Sequence, residues 1–176
     1  MFVLVRHADA VATSAWPGLD ADRPLSTLGD RQSIHLVDVL ADLPVTALFS
    51  SPTLRCRQTL QALSVARHLP IVDHPLLTVD APIDRLLFTL ARSVDGALWC
   101  THGEVFDRVA AVAADGGHAG FLPAATTAEA GVWIVDPGRD PRYLTPIPPG
   151  RPPRQPRSLR RCVRGGPASG HACFGR

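Results

Sequence analysis

Two histidines and two arginines stand where short apolar runs of the chain end. Arg6 and His7 close the run Phe2–Val5, and His102 and Gly103 follow Ala97–Thr101. Ser50 and Ser51 end the run Val45–Phe49, with Arg55 one helical turn further on. Guanidiniums grip a tetrahedral oxyanion through paired N–H groups, and a helix N-terminus adds amide donors along its dipole. An imidazole can supply a nucleophile or an acid–base group. Singly, each piece has an ordinary explanation: a hydrogen-bonded strand-end histidine, a surface arginine like Arg57, serines that only cap a helix. Together they suit a phosphate. Acidic residues are sparse in this converging set, as an anion site requires. No Walker-type glycine loop is present, so side chains would hold the phosphate.

Positioning such a set requires strands that end along one edge. Phe2–Val5, Val45–Phe49, Ile71–Val72, Ala97–Thr101 and Gly131–Val135 read as strands, the last pairing with Arg142–Leu144. Helical spacing runs over Leu28–Leu43, where Ser26 or Thr27 would cap the start. Ser50-Ser51-Pro52 reads as a serine cap with proline in the first turn of a helix reaching about His68. Further helices are expected over Ile83–Arg92 and from Gly103 to about Ala114. Strand–helix alternation of this kind predicts an α/β fold, a three-layer α/β/α sandwich with a mostly parallel central sheet. Ligands of such sheets gather at the carboxyl ends of the strands.

The composition fits one globular domain. The 176 residues are 45% hydrophobic, and no run reaches the length of a membrane span. Met1–Val5 is strand-sized rather than a signal peptide. All basic residues are arginines, and residues 151–176 hold seven of them with no acid, leaving eleven basic against sixteen acidic residues before. The chain therefore divides into a domain over 1–148 and a basic Pro/Gly/Arg-rich tail over 149–176. That tail cannot bury enough apolar surface to order itself, and it reads as a solvated extension rather than a nucleic-acid binder. Cys56 and Cys100 read as small core residues. Cys162, Cys173 and His171 match no zinc spacing, so reduced thiols in a cytoplasmic protein are expected.

Four segments resemble, in order, the motifs of the histidine phosphatase (phosphoglycerate mutase-like) superfamily. LVRHADA resembles its N-terminal Arg-His motif, with Ala8 where glycine is commoner. RPLSTLGDRQS, SSPTLRCRQT and CTHGE resemble the three that follow, and the likeness is greatest to small SixA-like phosphohistidine phosphatases. The resemblance implies a phosphoglycerate mutase-like fold and a metal-independent phosphatase without cofactor. His7 would be the nucleophile, with Arg6, Arg55 and His102 clamping the phosphoryl oxygens. Arg23, Ser51 and Gly103 would complete the phosphate site. The proton donor is expected to be Asp80, in LLTVDAPIDRLL, with Glu104 and Asp9 as alternatives and a capping role for Asp80 the ordinary explanation. A leaving imidazole, more readily protonated than an alkoxide, would ease the need for a carboxylic acid. About two dozen residues separate the third and fourth strands, which leaves room only for a small lid and speaks against a mutase. The substrate would be a phosphohistidine protein or, alternatively, a nucleotide or other small phosphate ester. A degenerate phosphate-binding protein is the reading from another class.

Overall fold

The computed structural model describes residues 1–115, 127–136 and 138–145. The expected tail, the domain boundary at 148 and the tail cysteines lie outside the described residues. The described chain runs β1 (Phe2–Arg6), α1 (Thr27–Val39), β2 (Ala47–Ser50), α2 (Leu54–Arg67), β3 (Ile71–Asp73), α3 (Ile83–Ala91), β4 (Ala97–Thr101), α4 (Gly103–Asp115), β5 (Val132–Val135) and β6 (Arg142–Leu144). The strands form one six-stranded sheet in the order β3-β2-β4-β1-β5-β6. Strands β1 to β4 are mutually parallel, while β5 runs antiparallel to β1 and β6 to β5.

Period-2 alternation divides the core into two layers. Phe2, Leu4, Trp99 and Trp133 face Leu86 and Leu90 of α3 and Val105, Phe106 and Val109 of α4. Val3, Val5, Leu98, Cys100 and Ile134 face Leu36 and Leu40 at the end of α1 and Cys56, Leu60 and Leu63 of α2. The three-layer sandwich is therefore present, with Cys56 and Cys100 buried and free as expected. Each fully buried leucine contributes roughly 1.5–3 kcal/mol. Ile34, by contrast, points outward from α1 and is 56% exposed.

One local expectation, the start of α2, is corrected, and another, the cap of α1, is met. Helix α2 starts later than the serines: its N-cap is Thr53, which makes no side-chain cap bond. Ser50 Oγ donates instead to the Ser51 carbonyl, and Ser51 is drawn inward to the site described below. At α1 the cap is Ser26, whose Oγ accepts from the Leu28 and Gly29 amides.

The same Ser26 hydroxyl donates to the Asp9 carboxylate, and this starts a set of bonds that fixes the loop after β1. The Asp9 amide donates to Gln32 Oε1 at 2.8 Å and the Ala8 amide to Thr59 Oγ1 at 2.9 Å. The Asp9 carbonyl accepts from the Ser26 amide at 3.0 Å. Helices α1 and α2 thus hold the backbone on both sides of Ala8, which is wholly buried. Gly29 is what lets α1 approach: a Cβ there would lie 1.9 Å from the Asp9 carbonyl oxygen. Neither backbone can yield cheaply. Gly29→Ala is expected to destabilise the fold by roughly 1–3 kcal/mol, the cost of overpacking a close contact. An unchanged midpoint in urea unfolding would contradict this.

Candidate active site

Strand register brings the sequence-predicted residues to one edge. Arg6 pairs with Thr101 across β1 and β4, and Ser50 pairs with Cys100 across β2 and β4. The next residues, His7 and His102, therefore emerge level with one another, and Ser51 one rung earlier beside Thr101. The His7 amide donates to the Thr101 carbonyl at 2.9 Å and the Ser51 amide to the Cys100 carbonyl at 3.0 Å. The two imidazoles meet edge to face with ring centroids 5.4 Å apart. Arg55, in the first turn of α2, reaches the same place with Nη2 at 3.3 Å from His102 Nδ1.

Hydrogen bonds assign the ring nitrogens. His7 Nδ1 lies 2.8 Å from the Ala8 carbonyl, which can only accept. Nδ1 therefore carries the proton, and Nε2 keeps its lone pair. On His102, Nδ1 faces a guanidinium, which can only donate, while Nε2 lies 2.9 Å from Ser51 Oγ. The neutral ring that satisfies both is protonated at Nε2 and donates to the serine. Burial lowers the pKa of His7 from its ordinary value, and the neighbouring His102 and Arg55 push in the same direction. The ring is thus kept neutral, as a nitrogen nucleophile must be. The charge on Cys56 when ionised and the hydrogen bond to the Ala8 carbonyl oppose that shift only in part.

Both arginines, Arg6 and Arg55, are anchored. Arg6 Nη1 donates to the Thr127 carbonyl at 2.6 Å, and its Nη2 lies 3.7 Å from a Glu129 carboxylate oxygen. Arg55 donates to the Asp20 carbonyl at 2.7 Å and to its carboxylate at 3.0 Å. Yet Arg6 Nε and Arg55 Nε are buried without a hydrogen-bond partner. A buried guanidinium N–H without an acceptor asks for one, and an oxyanion would supply it. Gly103 lies against Arg6; a Cβ there would be 3.0 Å from the guanidinium carbon. Arg23 Nε bonds Asp20 at 2.7 Å and its Nη1 the Val11 carbonyl at 2.8 Å, which ties the loop over Arg55. Arg57 pairs with Asp73 at the surface, away from this set.

A cleft of about 260 Å³ opens above His7, lined by Arg6, Ala10, Arg23, Gly103, Glu104, Asp107 and Glu129 besides His7 itself. His102 and Arg55, 1% and 4% exposed, lie beneath its floor. The expectation that acids are sparse here is corrected: three carboxylates line the cleft. Glu104, just past the carboxyl end of β4, is a candidate from the sequence. Asp107 lies further along α4 and Glu129 in the turn before the antiparallel strand β5, where parallel strand ends give no sign of them. Among the acid candidates, Glu104 lines the cleft and Asp9 is held by Ser26. Asp80 is exposed, on a turn that Arg108 pins by donating to the Val79 and Ala81 carbonyls, and does not line the cleft. Sequence reasoning missed Asp20 and Glu129, the two carboxylates that touch these arginines.

This architecture, a mostly parallel sheet carrying two histidines and two arginines at its carboxyl edge, is of the phosphoglycerate mutase-like class. Residues 2–78 match the family model described as histidine phosphatase superfamily (branch 1). Among solved structures, it is similar to a protein from Agrobacterium tumefaciens described as a phosphohistidine phosphatase SixA. That match has a TM-score of 0.64 and 25% identity, covering 84% of this chain and 97% of that one. The fold also matches the protein histidine phosphatase SixA complexed with tungstate, at TM-score 0.60 and 18% identity, over 81% of this chain and 93% of that one. A curated relative, the 8-oxo-(d)GTP phosphatase of Mycolicibacterium smegmatis, is 31% identical over 109 residues, 58% of this chain. The chain spans about a third of that relative, 34% of its length. Among the described residues no group of side chains could hold a metal ion, and no helix is long and apolar enough to cross a membrane.

The neutral state of His7 can be read directly. In an NMR pH titration, the His7 ring is expected to titrate below 6.5, its ordinary value. A midpoint at or above that value would contradict the burial argument.

Proposed function

We propose that the protein is a phosphatase that works through a phosphohistidine on His7. The observation that carries this reading is the convergence of a neutral imidazole, its Nε2 free, with two anchored arginines whose Nε groups lack an acceptor. His7 Nε2 attacks phosphorus in line, and Arg6 and Arg55 hold the equatorial oxygens as charge redistributes, with His102 positioning Arg55 by accepting from it at Nδ1. The clamp acts by positioning and by preorganised electrostatics. His102 is held for this by Ser51 beneath it, and Gly103 gives Arg6 room to lie flat. Water then hydrolyses the phosphohistidine.

A phosphohistidine on another protein is the substrate we favour. The segment from the end of β3 at Asp73 to the start of β4 at Ala97 is short and offers little cover to the site. The cleft above His7 is small and polar, and suits a phosphoryl group presented on a larger surface. The three carboxylates around it disfavour a second and third phosphate. Similarity to the Agrobacterium tumefaciens protein over nearly its whole length points the same way. A nucleotide is the second reading, supported by the Mycolicibacterium smegmatis relative.

With a labelled phosphodonor and rapid quenching, the expected result is an alkali-stable, acid-labile phosphoenzyme that is absent from His7→Ala. Full turnover of p-nitrophenyl phosphate by His7→Ala would overturn the reading. Arg55→Ala should lower kcat by about 10²- to 10³-fold, on the order of 3–4 kcal/mol, the scale of losing one preorganised donor. Comparing kcat/KM on a phosphohistidine protein and on 8-oxo-dGTP separates the two substrate readings. Preference for the nucleotide would reverse ours.

A further inference from the structure

We propose that Glu129 is the proton donor to the leaving group and, in the second half-reaction, the base that accepts the proton of the attacking water; this rests on the phosphatase reading above. Strand β5 runs antiparallel to β1, so its beginning lies beside the end that carries His7. The Arg6 amide donates to the Gly131 carbonyl at 3.0 Å, and the Ala130 amide to the His7 carbonyl at 3.1 Å. A tight turn closes there, with the Gly131 amide on the Ala128 carbonyl at 2.8 Å and Ala130 left-handed at φ 57°. Residue 129 is thereby fixed against the nucleophile's own loop, with its side chain lining the cleft above His7.

The Arg6 guanidinium ties this turn to the phosphate site. It bonds the Thr127 carbonyl and pairs with the Glu129 carboxylate, so the carboxyl stands beside the group that would hold the phosphoryl oxygens. The other acids are placed less well. Asp80 is outside the cleft, Asp9 receives the Ser26 hydroxyl, and Glu104 and Asp107 are exposed on α4.

The groups facing Glu129 are Asp9 in the loop after β1, Arg6 at its end, Arg23 before α1, and Glu104 and Asp107 across the cleft on α4. Burial raises its pKa from the ordinary carboxyl value, and a hydrogen bond with the Asp9 carboxyl raises it further; Arg6 and Arg23 oppose this. A raised pKa extends the protonated form to higher pH, as a general acid near neutrality needs.

The steps balance. The His7 Nε2 lone pair forms the N–P bond as the bond from phosphorus to the leaving group breaks, and the leaving nitrogen of a phosphohistidine, or the leaving oxygen of an ester, takes the Glu129 proton and departs neutral. Water then attacks phosphorus and yields a proton to the Glu129 carboxylate, while the N–P electrons return to Nε2. Phosphate is released with Glu129 again protonated.

The test is Glu129→Gln against the unaltered protein on β-glycerophosphate, whose alkoxide needs a proton, and on p-nitrophenyl phosphate, whose phenolate does not. The first kcat/KM should fall by about 100-fold or more, while the second stays within about threefold. On the aryl ester kcat should fall alone, with a burst of nitrophenolate, because loss of the base slows hydrolysis of the phosphoenzyme. Glu129→Asp should restore part of the alkyl activity. Equal losses on both esters, no loss on the alkyl ester, or an unaltered protein active only on the aryl ester would each overturn the proposal. Glu129→Ala gives the same comparison if the glutamine variant does not fold. Absence of any phosphoenzyme in the unaltered protein would instead overturn the phosphatase reading itself.

Discussion

The site depends on one register: β1 and β4 pair in parallel so that Arg6 lies opposite Thr101. Because both strands end at that rung, the following residues, His7 and His102, leave the sheet side by side. A slip of one residue would turn each strand's side chains to the other face. It would exchange the layers of Phe2 and Leu4 with those of Val3 and Val5, so both hydrophobic cores enforce the pairing. Placement of two polar rings at ångström scale is therefore secured by leucines and tryptophans some distance from them.

The second constraint is the loop that leaves β1. It has no helix of its own, and its backbone groups are satisfied by side chains of α1 and α2: Gln32 and Thr59 on its amides, and Ser26 on the Asp9 carboxylate. This accounts for polar residues in the segments 23–33 and 50–59 that touch no phosphate. Gln58 caps the same arrangement by accepting from the Leu25 amide at 2.9 Å. Buried polar networks of this kind are stabilising only when complete, so the two helices and the loop stand or fall together.

The parallel half of the fold was legible because apolar runs and strand-end polar residues coincide, and Arg6, His7, Arg55 and His102 met as expected. The helix-start reading of Ser50 and Ser51 failed because a serine at a strand end has two uses, and tertiary contact with His102 outweighed local capping. Glu129 was not legible for a topological reason. In an antiparallel strand the residue at the catalytic edge precedes the run, and Glu129 is three positions before β5 begins. Asp20 was hidden for another: it lies in a short turn without periodicity, and only the fold brings it to Arg55.

Asp20 and Glu129 also set the charge balance around Arg55 and Arg6. A guanidinium as buried as Arg55, 4% exposed, would be costly with no counter-charge. Each clamp arginine instead has a resident carboxylate beside it. The folded state therefore needs no bound anion to hold its cations, and an arriving phosphoryl group shares them with acids already in place. Under the proposed function, the Asp20 carboxylate competes with a bound phosphate for Arg55 and so favours its release, a counter-charge that never leaves the protein.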